Sequence, residues 1–277
     1  MVGSTGQKRR GRVSGVGVGA GCRAWETAGG KGVDVSEPIR VGGIEYARWG
    51  FDVGLLTDRP DALLEFWTGD VGFPVERVLD PVPGVRQHKL TMHGAVLKVN
   101  AVGGPLPARA PRSGVRMLLL ADETVTAPVH RPDPDGNRVC FVPPGFAGVD
   151  RFGVHLAVSD EAAHHRFLGE VLGSPQVGDR TYLVAGAPVS FAWSPDVAPG
   201  SAGVGAGFTY LTLQVVDVHA AHETLVGRGA TELQAPSGER FASDSIVSFV
   251  ADPDGNRIEV SQRPDLVAAL LRSEPRG

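Results

Sequence analysis

Apolar and polar positions alternate along FGVHLAVSD, Phe152 to Asp160, and the spacing then lengthens to that of a helix in EAAHHRFLGEVLG. Ala163, Phe167 and Val171 form one apolar stripe there, and Asp160 is placed to cap the first turn. TYLVAG and PVSFAW follow as strands. The order returns in YLTLQVVD, Tyr210 to Asp217, whose helix carries Val218, Ala221 and Leu225 on one face, then in strands around ATELQ and SIVSFV. An earlier copy opens with ARWGFDVGLLTD, ending at Asp58. A helix with proline near its start buries Leu63, Leu64, Phe66 and Trp67, and FPVERVL, RQHKLTMH and GAVLKVNAV supply three strands. A fourth start, SGVRMLLLAD, leaves too few residues between Asp122 and Asp133 for a helix and two strands, so that module is truncated.

Two of these modules close on the same turn. DPDGNRVCF begins at Asp133 and DPDGNRIEV at Asp252. Proline presets φ, the aspartate caps its own backbone and glycine accepts positive φ, so each copy is a tight reversal that launches a strand. Recurrence at one place in a repeated strand, helix, strands order makes the repeat the strongest organisational signal in the chain.

Composition narrows the class. The 277 residues include 42% hydrophobic and 21% charged positions, which fits a soluble globular protein, and 38 Gly with 21 Pro favour short strands and turns. No uninterrupted apolar run is long enough to span a membrane. Cys22 and Cys140 are too few for a disulfide framework and fit a reducing compartment, so the expected location is the cytoplasm. Lys8, Arg9, Arg10, Arg12, Arg23 and Lys31 oppose Glu26 alone at the N-terminus, whereas the remainder is acidic and offers no footprint for nucleic acid. GVGVGAG, residues 15–21, lacks the flanking strand and helix of a dinucleotide loop, and nothing resembles the serine elbow of a hydrolase.

FGVHLAVSD with RFLGEVLG, YLTLQVVD with its helix, and the closing DPDGNRIEV resemble the vicinal oxygen chelate superfamily of glyoxalases, bleomycin resistance proteins and extradiol dioxygenases. The resemblance implies an α+β fold of repeated βαβββ modules forming two open cups, with the second module truncated. It divides the chain into a flexible basic segment (1–43), a degenerate first domain (44–147), a second domain (148–266) and a C-terminal tail (267–277).

In that family a divalent metal (Fe, Mn, Zn or Ni) sits at the base of a cup, held from the first strand of each module and by the Glu of the last strand. Carried over, these positions are Gly153, Tyr210, Ser190 and Glu259 in the second domain, and Phe51, Lys98, Val115 and Cys140 in the first. Glu259 is the carboxylate ligand, but both histidines are missing and Lys98 sets a cation where a carboxylate belongs. Strand alternation puts His155 on the face of Gly153, so His155 and Glu259 are the candidate metal pair, with Tyr210 and His155 as candidate catalytic groups. Ser190, Phe191 and Trp193 are the candidate substrate-binding residues. Two readings stand at this point: a glyoxalase- or dioxygenase-like enzyme acting on a small oxygenated substrate, aromatic ones included, or a metal-free small-molecule binding or sequestration protein or cofactorless lyase or isomerase. A monomer and a homodimer are both compatible with the repeat.

Overall fold

A computed structural model describes residues 39–107, 114–198, 200, 205–238 and 244–273. The basic segment expected over 1–43 therefore lies outside the described residues except at its end. There, β1 (Ile39–Val41) pairs with β2 (Ile44–Tyr46), so strand structure is already present ahead of Ile44, where the sequence pattern placed its first strand.

The first module comprises β3 (Asp52–Thr57), α1 (Pro60–Leu64) running into a π turn, β4 (Val75–Val82), β5 (Val85–Met92) and β6 (Ala95–Val102). The second has β7 (Gly114–Ala121), β8 (Val129–Pro132) and β9 (Arg138–Val142), with no helix. The third has β10 (Phe152–Val158), α2 (Glu161–Arg166) with its own π turn, β11 (Gln176–Gly178), β12 (Thr181–Val184) and β13 (Ala187–Trp193). In the fourth, β14 (Gly207–Gln214), α3 (Val218–Gly227), β15 (Thr231–Ser237), β16 (Ile246–Ala251) and β17 (Arg257–Gln262) complete the pattern. α4 (Pro264–Ser273) follows, so most of the segment expected as a tail is helical. Asp160 and Asp217 cap α2 and α3 through the amides of Ala163 and Ala220, as the alternation ending in Asp implies.

These strands form two mixed sheets, and the pairing departs from the division into consecutive domains. The eight-stranded sheet runs β15-β16-β17-β14-β3-β6-β5-β4, joining the fourth module to the first, and the seven-stranded sheet β11-β12-β13-β10-β7-β9-β8 joins the third to the second. Each module leaves its first strand with a free edge, and the edge it meets is another first strand, antiparallel. Thus Thr212 opposes Asp52, and Tyr210 opposes Gly54. Gly54 is required at that point because a β-carbon there would overlap the Tyr210 ring.

One core cluster runs through both sheets, with Phe152 edge-on to Phe51 at 5.3 Å between ring centroids. A second, smaller cluster of Met117, Leu119, Cys140, Val142 and Val149, with Phe146 against it, fills one face of the seven-stranded sheet.

The repeated turns tie the sheets together. In each, the first aspartate accepts two backbone amides through Oδ1 and the asparagine side chain through Oδ2, at 2.7–3.0 Å. Gly136 and Gly255 take φ of 75° and 86°. The second aspartate of each turn reaches across to the other sheet's module: Asp135 pairs with Arg59 at 2.8 Å, and Asp254 accepts from the Ser159 amide at 2.9 Å. His164 on α2 adds its Nε2 to Asp252 at 3.4 Å.

Candidate functional site

The eight-stranded sheet gathers a polar group at its centre. Lys98 on β6 sends its Nζ to Thr212 Oγ1 on β14 and to Glu259 Oε1 on β17, each at 2.8 Å, with Asp52 Oδ2 on β3 at 3.8 Å. Asp52 is fully buried and also accepts from the Val96 amide at 2.9 Å and from Gln214 at 2.8 Å, while Arg48 contacts its other side. Four strands from two modules therefore converge on one ammonium group. The carboxylates need that cation, because two buried negative charges beside one another are costly unless compensated.

A second polar row lies one step along the same faces. The Tyr210 hydroxyl accepts from Asn100 Nδ2 at 3.2 Å and Gln87 Nε2 at 3.4 Å, and Gln87 also donates to Asn100 Oδ1 at 2.8 Å. With both neighbours donating, the phenolic proton is left to point elsewhere. Burial, then the carboxylate of Glu259, raises the Tyr210 pKa against the lowering effects of Lys98 and Asn100, so the phenol is a neutral donor rather than a phenolate. Lys98 Nζ stands 5.6 Å from the centroid of its ring.

Gln87, Asn100, Tyr210 and Glu259 all line a cavity of about 570 Å³ whose remaining wall is mostly apolar, including Val85, Leu156, Leu233 and Phe249. A few convergent polar groups in an apolar cavity of this size are what a small-molecule site requires.

The predicted residues divide between the two sheets. Glu259 and Tyr210 belong to this site, but His155 is on β10 in the other sheet, so the expected pairing of His155 with Glu259 at one metal does not form. His155 Nδ1 instead meets Ser190 Oγ at 2.9 Å. Burial, followed by Arg138 and Arg116, lowers the His155 pKa to about 4 and leaves the ring neutral at pH 7.

Ser190, Phe191 and Trp193 do not line the cavity either. Phe191 is core, stacked on Tyr182 at 6.4 Å, and Trp193 is 57% exposed at the end of β13. Strand alternation assigns a face, but the sheet partner decides which cup that face lines. Sequence reasoning missed Asp52, Asn100, Gln87 and Thr212. Asp52 was adjacent to the carried-over Phe51, and the unusual Asp in an apolar strand was the available signal.

Residues 148–260 match the family model for the Glyoxalase/Bleomycin resistance protein/Dioxygenase superfamily. That segment belongs to this superfamily. The repeated βαβββ order and the two cups are its fold, and the match falls on the third and fourth modules. Among solved structures, glyoxalase I from Zea mays is 14% identical with a TM-score of 0.59, covering 81% of this chain and 96% of that one. A mutant of the same maize enzyme gives 0.61 at 14% identity, covering 80% and 94%. A candidate dioxygenase from Bacillus subtilis gives 0.59 at 11% identity, covering 83% and 86%. At these identities the likeness is one of fold. No curated protein matches the chain significantly.

The superfamily's divalent metal does not fit the residues present. Among the described residues no three His, Cys, Asp or Glu side chains gather as a ligand set. At the convergence of the first and last strands, the space between Asp52, Thr212 and Glu259 is taken by the Lys98 ammonium. A fixed cation there both occupies the volume and repels a second one. What the arrangement can do is hold an oxygenated molecule by hydrogen bonds from a neutral phenol and amides, next to an ion pair whose carboxylate can accept a proton.

Proposed function

We propose that the cup formed by the first and fourth modules binds a small oxygenated molecule without a resident divalent metal, with Lys98 serving where other members of the superfamily use an ion. The observation that carries this reading is the Lys98 ammonium between Thr212, Glu259 and Asp52. Tyr210 and the Gln87–Asn100 amide pair orient the ligand's oxygens, and Val85, Leu233 and Phe249 cover its carbon skeleton. Lys98 does not line the cavity itself and acts on the ligand through Glu259, which does, as a point charge without fixed coordination geometry. Glu259 beside it is the group able to accept a proton from such a ligand, which favours lyase or isomerase chemistry over oxygen activation if the ligand is turned over.

The test is metal content of mildly purified protein by plasma mass spectrometry, followed by add-back of Fe, Mn, Zn and Ni and a thermal-shift screen of small oxygenated compounds. The expected result is substoichiometric metal, no stabilisation on add-back, and ligand stabilisation that Tyr210→Phe weakens. Stoichiometric metal that disappears in Glu259→Ala would overturn the proposal.

A further inference from the structure

One charged group in the same cup takes no part in the ion pairs described above. Lys89 on β5 is 8% exposed and, among the described residues, makes no hydrogen bond or salt bridge. Its position in the register is fixed: Lys89 lies opposite Lys98 on the neighbouring strand, and two residues from Gln87, hence on the same face as both. Gln87 lines the cavity, and Lys89, the next side chain on that face, stands just outside its lining.

The charges around it are Lys98 on β6, Glu259 on β17, Glu76 on β4 and Arg263 just after β17, with Arg77 opposite it on β4. Lys98 is committed to Glu259 at 2.8 Å, and Arg263 is committed to Glu76 at 3.1 Å and Asp265 at 2.6 Å. The carboxylates within reach are thus already engaged by other cations. Burial first, and then Lys98 and Arg263, lower the Lys89 pKa to about 8, ahead of the opposing effects of Glu259 and Glu76. Near neutral pH the group is still mostly protonated, a desolvated cation in a field that favours a negative charge beside it.

An unpaired cation held this deep costs free energy in the empty protein, and a ligand anion would recover it. Resting on the reading of this cup as a small-molecule site, we infer that its ligand is a carboxylate, held by Lys89 at the Gln87 edge of the cavity, with the rest of the molecule extending past Gln87, Asn100 and Tyr210 into the apolar part.

The experiment is calorimetric titration of the full chain with matched anionic and neutral probes, benzoate against benzamide and hexanoate against hexanamide, at fixed ionic strength. At least one carboxylate should saturate the wild-type protein. Lys89→Met should weaken that carboxylate about tenfold while leaving its amide within about twofold, and Lys89→Arg, which keeps the charge, should retain the carboxylate preference. Amides that bind as tightly as the carboxylates, or a Lys89→Met loss shared equally by both, would overturn the inference and leave the small-molecule reading standing. If no probe of either kind saturates the wild-type cup, the inference falls together with the reading beneath it. Pyruvate with cyanoborohydride offers a separate check: a covalent adduct mapped to Lys89 would make that amine a nucleophile toward carbonyl compounds and overturn the anion-holding role.

Discussion

Replacing Lys98 by Met tests the centre of the site directly. The substitution keeps an unbranched chain of similar length while removing the charge, so the loss comes from stranded carboxylates rather than from a cavity. Glu259, with its side chain 13% exposed, loses its 2.8 Å partner, and Asp52, at 0%, keeps Arg48 alone as a cation among the described residues. Breaking a buried pair from one side costs about 3–5 kcal/mol. Because Glu259 keeps some solvent, the expected loss is near the lower end, about 3 kcal/mol.

Urea unfolding followed by circular dichroism measures it. The double variant Lys98→Met/Glu259→Gln removes the stranded charge as well and should recover about 2 kcal/mol relative to the single variant. The reasoning is refuted if Lys98→Met costs less than about 1 kcal/mol, the range of an exposed pair, or if the two substitutions simply add.

Three further outcomes are expected. Gly54→Ala should cost about 1–3 kcal/mol and alter the near-ultraviolet dichroism of Tyr210, because its β-carbon meets the ring; an unchanged spectrum would refute the contact. His164 and His155 should give opposite pH dependences in denaturation measured across the acid and neutral range. For His164, burial is outweighed by Asp252, Asp160 and Asp254, so its pKa is raised. Its stabilisation is complete below the unfolded value of 6.5 and is lost as pH rises through the folded value, so His164→Gln should flatten that decline. For His155 the folded pKa of about 4 lies below 6.5, so the unfolded chain binds more protons and stability falls as pH drops through that interval; His155→Asn should reduce this acid sensitivity. Asp133→Ala and Asp252→Ala should each lower stability by about 2–4 kcal/mol in thermal unfolding, with Asp252→Ala the more severe because it also strands His164; equal or negligible losses would contradict the turn's cross-sheet role.

Much of the local structure was legible in the chain itself. Alternation in FGVHLAVSD and YLTLQVVD set β10 and β14 and the caps of α2 and α3, and the short interval from Asp122 to Asp133 implied a module without its helix. DPDGN announced its turn because the aspartate, proline, glycine and asparagine each meet a local backbone demand. Glu259 and Lys98 could be singled out as a retained acid and an intruding cation. That they are partners to each other could not, since 161 residues separate them.

The sequence by itself determined the modules: their strands, their turns, and which residues share a face, all of which depend on interactions within a few residues. The tertiary structure decided which free edges meet, and so which faces make one cup. That choice rests on contacts between distant strands, such as the Tyr210 ring over Gly54 and Thr212 opposite Asp52. It moved His155 to a different cup from Glu259 and delivered Lys98 to the place between the carboxylates. A period-two pattern is identical for either pairing of edges, and only side-chain fit and charge across the β3–β14 seam distinguish them.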